Sequence, residues 1–154
     1  MPERFIDEGH PIYEFVIQAI DVQCPSCGER ARLSPWGVEE PELHSPRRLA
    51  CDSCGFTKDA DGDVLAFYPD GRDPAFGHWL WYRTETSKGV LWAYHREHLA
   101  LLEAYVSADH RQQADNAAWR NRSYFSRLPR WIKSARNRKQ VLRLIDRMSS
   151  RGSH

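Results

Sequence analysis

The chain has 154 residues, 41% hydrophobic and 12% aromatic with six tryptophans, and a formal net charge of +1. That apolar content suffices for a packed core and excludes wholesale disorder, while no stretch approaches the roughly 18 consecutive apolar residues that cross a bilayer. The near-neutral total hides a polarity: residues 1–119 hold eleven Lys+Arg against twenty Asp+Glu, a net −9, whereas residues 120–154 hold eleven against one, a net +10.

The opening Met1-Pro2-Glu3-Arg4-Phe5-Ile6-Asp7-Glu8 lacks the long apolar run of a secretion signal, so a cytoplasmic location with reduced thiols is expected. Residues 12–22 carry two patterns. Ile12, Phe15, Val16, Ala19 and Ile20 recur at helical spacing, while the β-branched content ahead of Cys24 suits a strand, which is expected for residues 21–23. Cys24-Pro25-Ser26-Cys27-Gly28 and Cys51-Asp52-Ser53-Cys54-Gly55 then repeat one metal-binding turn and contain every cysteine of the chain. Two residues between the thiolates let both sulfurs face one ion, and the following glycine takes the left-handed conformation that aims backbone N–H groups at sulfur. Four such sulfurs close a tetrahedron with no position left for water or substrate, so the metal is expected to build structure and not to perform chemistry. Two disulfides would need an oxidising compartment. An iron site of the rubredoxin kind uses nearly the same turns, yet nothing else in the chain suggests electron transfer, and one structural Zn2+ is preferred. His44 would join the ligands only if one of the four cysteines were misassigned.

Between the turns, Ser34-Pro35-Trp36-Gly37, Glu39-Glu40-Pro41-Glu42 and Ser45-Pro46 mark loops, and Arg47-Arg48-Leu49-Ala50 is the strand leading to the second turn. This is the plan of a zinc ribbon, too small to fold on apolar burial alone. Asp59, Asp61, Gly62 and Asp63 read as a solvated turn, since the glycine and terminal glutamate of a calcium loop do not fall in place. A strand is expected at Val64-Leu65-Ala66-Phe67-Tyr68, stopped by Pro69-Asp70-Gly71. Residues 79–84 and 90–94, both aromatic-rich, flank Glu85-Thr86-Ser87-Lys88-Gly89 as a hairpin. From Arg96 to about Asp109, Leu99, Leu102, Tyr105 and Val106 give an amphipathic helix able to pack on those aromatics. A polar stretch, residues 111–121, leads to Pro129 in the first turn of a helix that runs, broken near Asn137, to Met148.

The metal turns, Leu91-Trp92-Ala93-Tyr94 followed by Glu97-His98-Leu99, and the closing Arg127-Leu128-Pro129-Arg130-Trp131-Ile132-Lys133-Ser134-Ala135-Arg136-Asn137-Arg138 resemble a group of small bacterial proteins containing a transcription-factor-IIB-type zinc ribbon. The resemblance spans roughly residues 20–148 and implies metal ligands at Cys24, Cys27, Cys51 and Cys54. It implies no reaction, because a shared ribbon does not transfer function.

Among other candidate chemistry, His95, Glu97 and His98 resemble a fragment of a metal or acid-base site without a third ligand at fitting spacing, and no phosphate-cradling glycine loop or serine elbow is present. The basic segment carries more. From Arg120 to Arg147 ten Lys+Arg face one acid, Asp146, with Tyr124, Phe125 and Trp131 interleaved, so cations would grip phosphates while an exposed ring stacks on a base. The expected protein is therefore α+β, a four-cysteine zinc ribbon followed by an aromatic β-hairpin and a C-terminal helical part. Its expected divisions are residues 1–62, residues 63–150 and a tag remnant at 151–154. The expected function is non-catalytic binding of nucleic acid through Arg122, Arg127, Arg130, Lys133, Arg136, Arg138, Lys139 and Arg143, without membrane or small-molecule substrate. The alternative is an adaptor or inhibitor that binds a protein partner through the ribbon or the aromatic surface, and a hydrolase or nuclease using His95, Glu97 or His98 comes third.

Overall fold

A computed structural model describes residues 4–7, 12–108, 110–113 and 124–151. It is α+β, with strands β1 (Arg4–Asp7), β2 (Ile20–Gln23), β3 (Arg30–Pro35), β4 (Arg47–Ala50), β5 (Thr57–Ala60), β6 (Tyr82–Thr86), β7 (Gly89–Ala93) and β8 (His110–Gln113). The helices are α1 (Ile12–Ile17), α2 (Arg96–Ser107), α3 (Arg130–Lys133) and α4 (Arg138–Arg151). Two compact units arise, one comprising Tyr13–His95 and the other Met1–Ile12 with Arg96–His154.

In the first unit β2, β3, β4 and β5 form an antiparallel meander in sequence order. Both patterns read in residues 12–22 are realised in succession, helix in α1 and strand in β2. In β3 and β4 burial alternates with the two-residue strand period, Ala31 and Leu33 and then Arg47 and Leu49 being buried, whereas β2 buries Ile20, Asp21 and Val22 in succession; Leu33 pairs with Leu49. The outer edge of β2 is covered. Asp21 donates its N–H to the Tyr94 carbonyl (2.8 Å), Trp81 donates to Asp21 (3.0 Å) and Gln23 to Trp79 (2.8 Å), with a bridge between Val22 and Leu80. These bonds join the β6–β7 hairpin to the ribbon sheet, so the unit continues past residue 62 to His95. At the other end of the meander, β5 is an edge strand with Thr57, Lys58 and Asp59 exposed.

The strand expected at residues 64–68 does not form. Val64 is 80% and Phe67 58% exposed, so no neighbouring strand covers the run, and Ala66 N–H is instead held by the Pro74 carbonyl (2.9 Å). That loop is organised by Asp73, which is fully buried. Its Oδ1 accepts the N–H groups of Ala75 (2.9 Å) and Phe76 (2.7 Å), and its Oδ2 accepts that of His78 (2.7 Å). Arg47 is equally buried and donates to the carbonyls of Leu43 (2.8 Å), Ser45 (3.3 Å) and Val16 (3.3 Å). Burial pulls the Arg47 pKa down, and the negative charge of Asp73 opposes that pull. Gly62, at φ +87°, lies against the carbonyls of His44 and Ser45 so closely that a Cβ has no room.

In the second unit β1 and β8 pair in parallel, a ladder that the polar sequence of residues 110–113 does not announce. Helix α2 buries His98, Leu99, Leu102, Tyr105 and Val106 and packs on α4, which buries Val141, Ile145 and Met148. The Tyr105 ring stacks on Phe125 (4.9 Å between centroids), and His98 meets the edge of Tyr124 (4.6 Å). The expected break near Asn137 is a 3₁₀ turn, Ala135–Asn137, in which the Ser134 hydroxyl accepts the Arg136 N–H (3.2 Å) and the Asn137 amide donates to the Trp131 carbonyl (3.0 Å).

Replacing Asp73 by Ala removes the acceptor of three partly buried backbone N–H groups and the negative charge that opposes the desolvation of Arg47. Chemical denaturation of the Asp73→Ala variant is expected to show a loss of about 3 kcal/mol, whereas Asp63→Ala, at an exposed position, is expected to lie within about 0.5 kcal/mol of the parent.

Candidate metal centre

The two cysteine turns are built alike. Cys24 donates its N–H to the Glu29 carbonyl (2.7 Å) and accepts that of Gly28 (2.9 Å); Cys51 donates to Phe56 (2.9 Å) and accepts from Gly55 (2.8 Å). Gly28 and Gly55 take φ of 81° and 79°, the left-handed conformation that closes each turn behind its second cysteine. The first turn joins β2 to β3 and the second joins β4 to β5, and antiparallel pairing of β3 with β4 brings the two together.

The four Sγ atoms lie within 4.8 Å of one another, with Cys24 to Cys54 at 3.7 Å and Cys27 to Cys51 at 3.6 Å. Thiolates bound at about 2.3 Å around one dication form a tetrahedron with edges of about 3.8 Å, a figure matched by the Cys24–Cys54 and Cys27–Cys51 separations. All four cysteines are free thiols; Cys24 and Cys51 are buried, while Cys27 and Cys54 are exposed. The group can therefore hold a metal ion with every coordination position filled by sulfur.

Electrostatics favour a cation there. Burial pushes the Cys24 thiol up, but the backbone N–H groups of Cys27 and Ser26, with the neighbouring thiols, outweigh it and bring the pKa to about 7. For Cys27 the backbone near Glu29 pulls down, and burial together with the other three sulfurs pushes the thiol up to about 12. The first sulfur ionises readily and the last resists, as expected of like charges in one small space.

Other candidates are placed as follows. His44 Nδ1 bonds the Gly62 carbonyl (2.9 Å), outside the sulfur group. His95 is buried and its Nε2 donates to the Phe15 carbonyl (3.1 Å); His98 is buried against Tyr124, and Glu97 is exposed. Asp59, expected in a solvated turn, belongs to β5, where Arg48 grips it at 2.6 and 3.0 Å and holds its carboxyl below the usual range.

Of the basic segment, Arg122 lies outside the described residues. Arg127, Arg130, Arg136, Lys139 and Arg143 are exposed, and Lys133 and Arg138 are half-buried. The interleaved rings do not behave as expected: Phe125 is 0% and Tyr124 8% exposed, and Trp131 is half-buried. Core packing claims them because Tyr105 and His98 of α2 supply ring partners. Contacts between arginines and rings in the first unit have no signal in residue spacing. Trp79 has Arg83 at 4.1 Å and Arg72 at 4.4 Å from its ring, and Trp36 has Arg48 at 3.9 Å. Among the described residues no helix is long and apolar enough to cross a membrane.

Because metal displaces protons from the thiols, affinity is expected to fall with acidity. Competition with a chromophoric chelator should give metal binding at least roughly a hundredfold weaker at pH 6 than at pH 8, the consequence of displacing one or more protons over two pH units. The linkage has the same sign for stability: metal-bound thiolates ionise below their unfolded values, so their contribution is present at high pH and lost on acidification. A Cys51→Ser variant should lose stoichiometric metal. Comparison with protein-family models, curated proteins and solved structures finds no match to this chain.

Proposed function

We propose that this chain is a non-catalytic, cytoplasmic zinc-ribbon protein that binds nucleic acid through its basic C-terminal segment. The observation that carries the reading is the solvent side of α4 and of the residues before it. Arg130, Arg136, Lys139, Arg143 and Arg147 are exposed, and none is ion-paired among the described residues. An unneutralised cationic face on a chain whose first 119 residues carry −9 suits an external polyanion. Arg127, Lys133 and Arg138, with Arg122, extend the basic segment along the sequence.

One zinc ion is the metal that best suits four thiolates without a redox partner, and binding on the order of 10 kcal/mol would supply much of the ribbon's stability. A closed sulfur shell supports a structural role over catalysis. Free thiols suit a reducing compartment.

A second reading, an adaptor or inhibitor of another protein, is favoured by exposed Phe67 and by exposed Trp36 and Trp79 with arginines over their rings, residue types enriched where proteins dock. Filter binding across a salt series separates the two. Affinity for nucleic acid that falls linearly with log salt supports the first reading, and absence of binding at low salt removes it. Elemental analysis is expected to give one zinc per chain; iron at that stoichiometry, with its visible colour, would reassign the metal.

A further inference from the structure

Helix α4 has two faces of opposite character. Val141, Ile145 and Met148 are buried, and α4 packs on α2, so its apolar stripe is spent inside the protein. At 100° per residue the opposite side carries Lys139, Arg143 and Arg147, spaced i, i+4, i+8 and all exposed. The spacing sets the cations about 6 Å apart along a stripe of about 12 Å, a length matching three or four phosphates of one strand at roughly 3.4 Å of axial rise each. Asp146 is exposed on the same side and is the single acidic side chain of residues 120–154.

Two of the three rings that would stack on unpaired bases are engaged elsewhere, and the third, Trp131, is half-buried. Phe125 lies under Tyr105, and Tyr124 lies between His98 and Phe125, so neither presents a free face beside the stripe. Single-strand binding draws its strength from such stacking, whereas duplex binding needs only phosphate contacts. An anionic membrane is a poorer match for the same charge, because an interfacial helix must bury its apolar face in lipid and that of α4 is already covered.

We infer that Lys139, Arg143 and Arg147 form a phosphate-gripping stripe that holds the backbone of duplex nucleic acid without sequence preference and without base stacking. The inference rests on the nucleic-acid reading above and narrows its ligand. Arg147 joins the contact set through its position on the helix, and Asp146 tempers it.

The test measures binding of the zinc-loaded full chain to a duplex DNA, a duplex RNA of matching sequence, each separated strand and vesicles containing phosphatidylglycerol. The duplexes are expected to bind more tightly than their strands. The three contacts of the stripe are expected to contribute about −2.7 to the log–log salt slope, equivalent to roughly a 40-fold loss between 50 and 200 mM salt. The triple variant K139Q/R143Q/R147Q should reduce the slope by about 2.7, leaving what the other cations of the segment contribute, and Asp146→Asn should raise affinity several-fold. Because these side chains are exposed, circular dichroism and metal content should stay at parental values, which makes a binding loss interpretable. Tighter binding to single strands, with quenching of tryptophan fluorescence, would overturn the inference while leaving the nucleic-acid reading intact. Duplex binding unchanged in the triple variant would do the same by placing the contact elsewhere. Binding to no nucleic acid, with or without binding to vesicles, would remove both.

Discussion

Four sulfurs gathered within 4.8 Å of one another cannot all carry charge unless a cation sits among them. The rise of Cys27 to about 12 beside a Cys24 near 7 expresses that repulsion within a single site. A bound dication reverses it: each thiolate then stabilises the turn that presents it, and the turns fix the ends of β2, β3, β4 and β5. The meander has short strands of four to six residues.

A second constraint of the same kind lies away from the metal. Asp73 and Arg47 are both buried and charged, and each is surrounded by backbone groups of the sign it needs, N–H around the carboxylate and C=O around the guanidinium. The loop over residues 61–81 has few strand bonds of its own, and this network gives it a defined path to the hairpin. Buried charge here specifies one arrangement of chain, a role distinct from adding net stability.

The parts of the fold legible in the sequence are those governed by short-range rules. The metal turns follow from Cys-x-x-Cys-Gly, β4 from its place before the second turn, α2 and α4 from apolar spacing, and the break near Asn137 from the polar run around it. The hairpin ends in a tighter turn than expected, since β6 and β7 leave only Ser87 and Lys88 between them. The strand expected at residues 64–68 failed because apolar composition there reflects exposure of Val64 and Phe67, with no partner strand to define an inside. Parallel pairing of β1 with β8, across more than a hundred residues, depends on contacts that no local pattern encodes. In the basic segment the charges were legible but the fate of the rings was not, because burial of Tyr124 and Phe125 is decided by α2.

The open edge of β5 has a colloidal consequence. Two copies of an antiparallel edge strand meet with like positions opposed, since only residues pointing to the same face can stand across from one another. Register centred on Lys58 would confront two ammonium groups, and register centred on Asp59 two carboxylates already committed to Arg48. Strand-by-strand polymerisation of the ribbon is thereby discouraged at its one uncovered margin among the described residues, while β2 is shielded by the chain at residues 79–81.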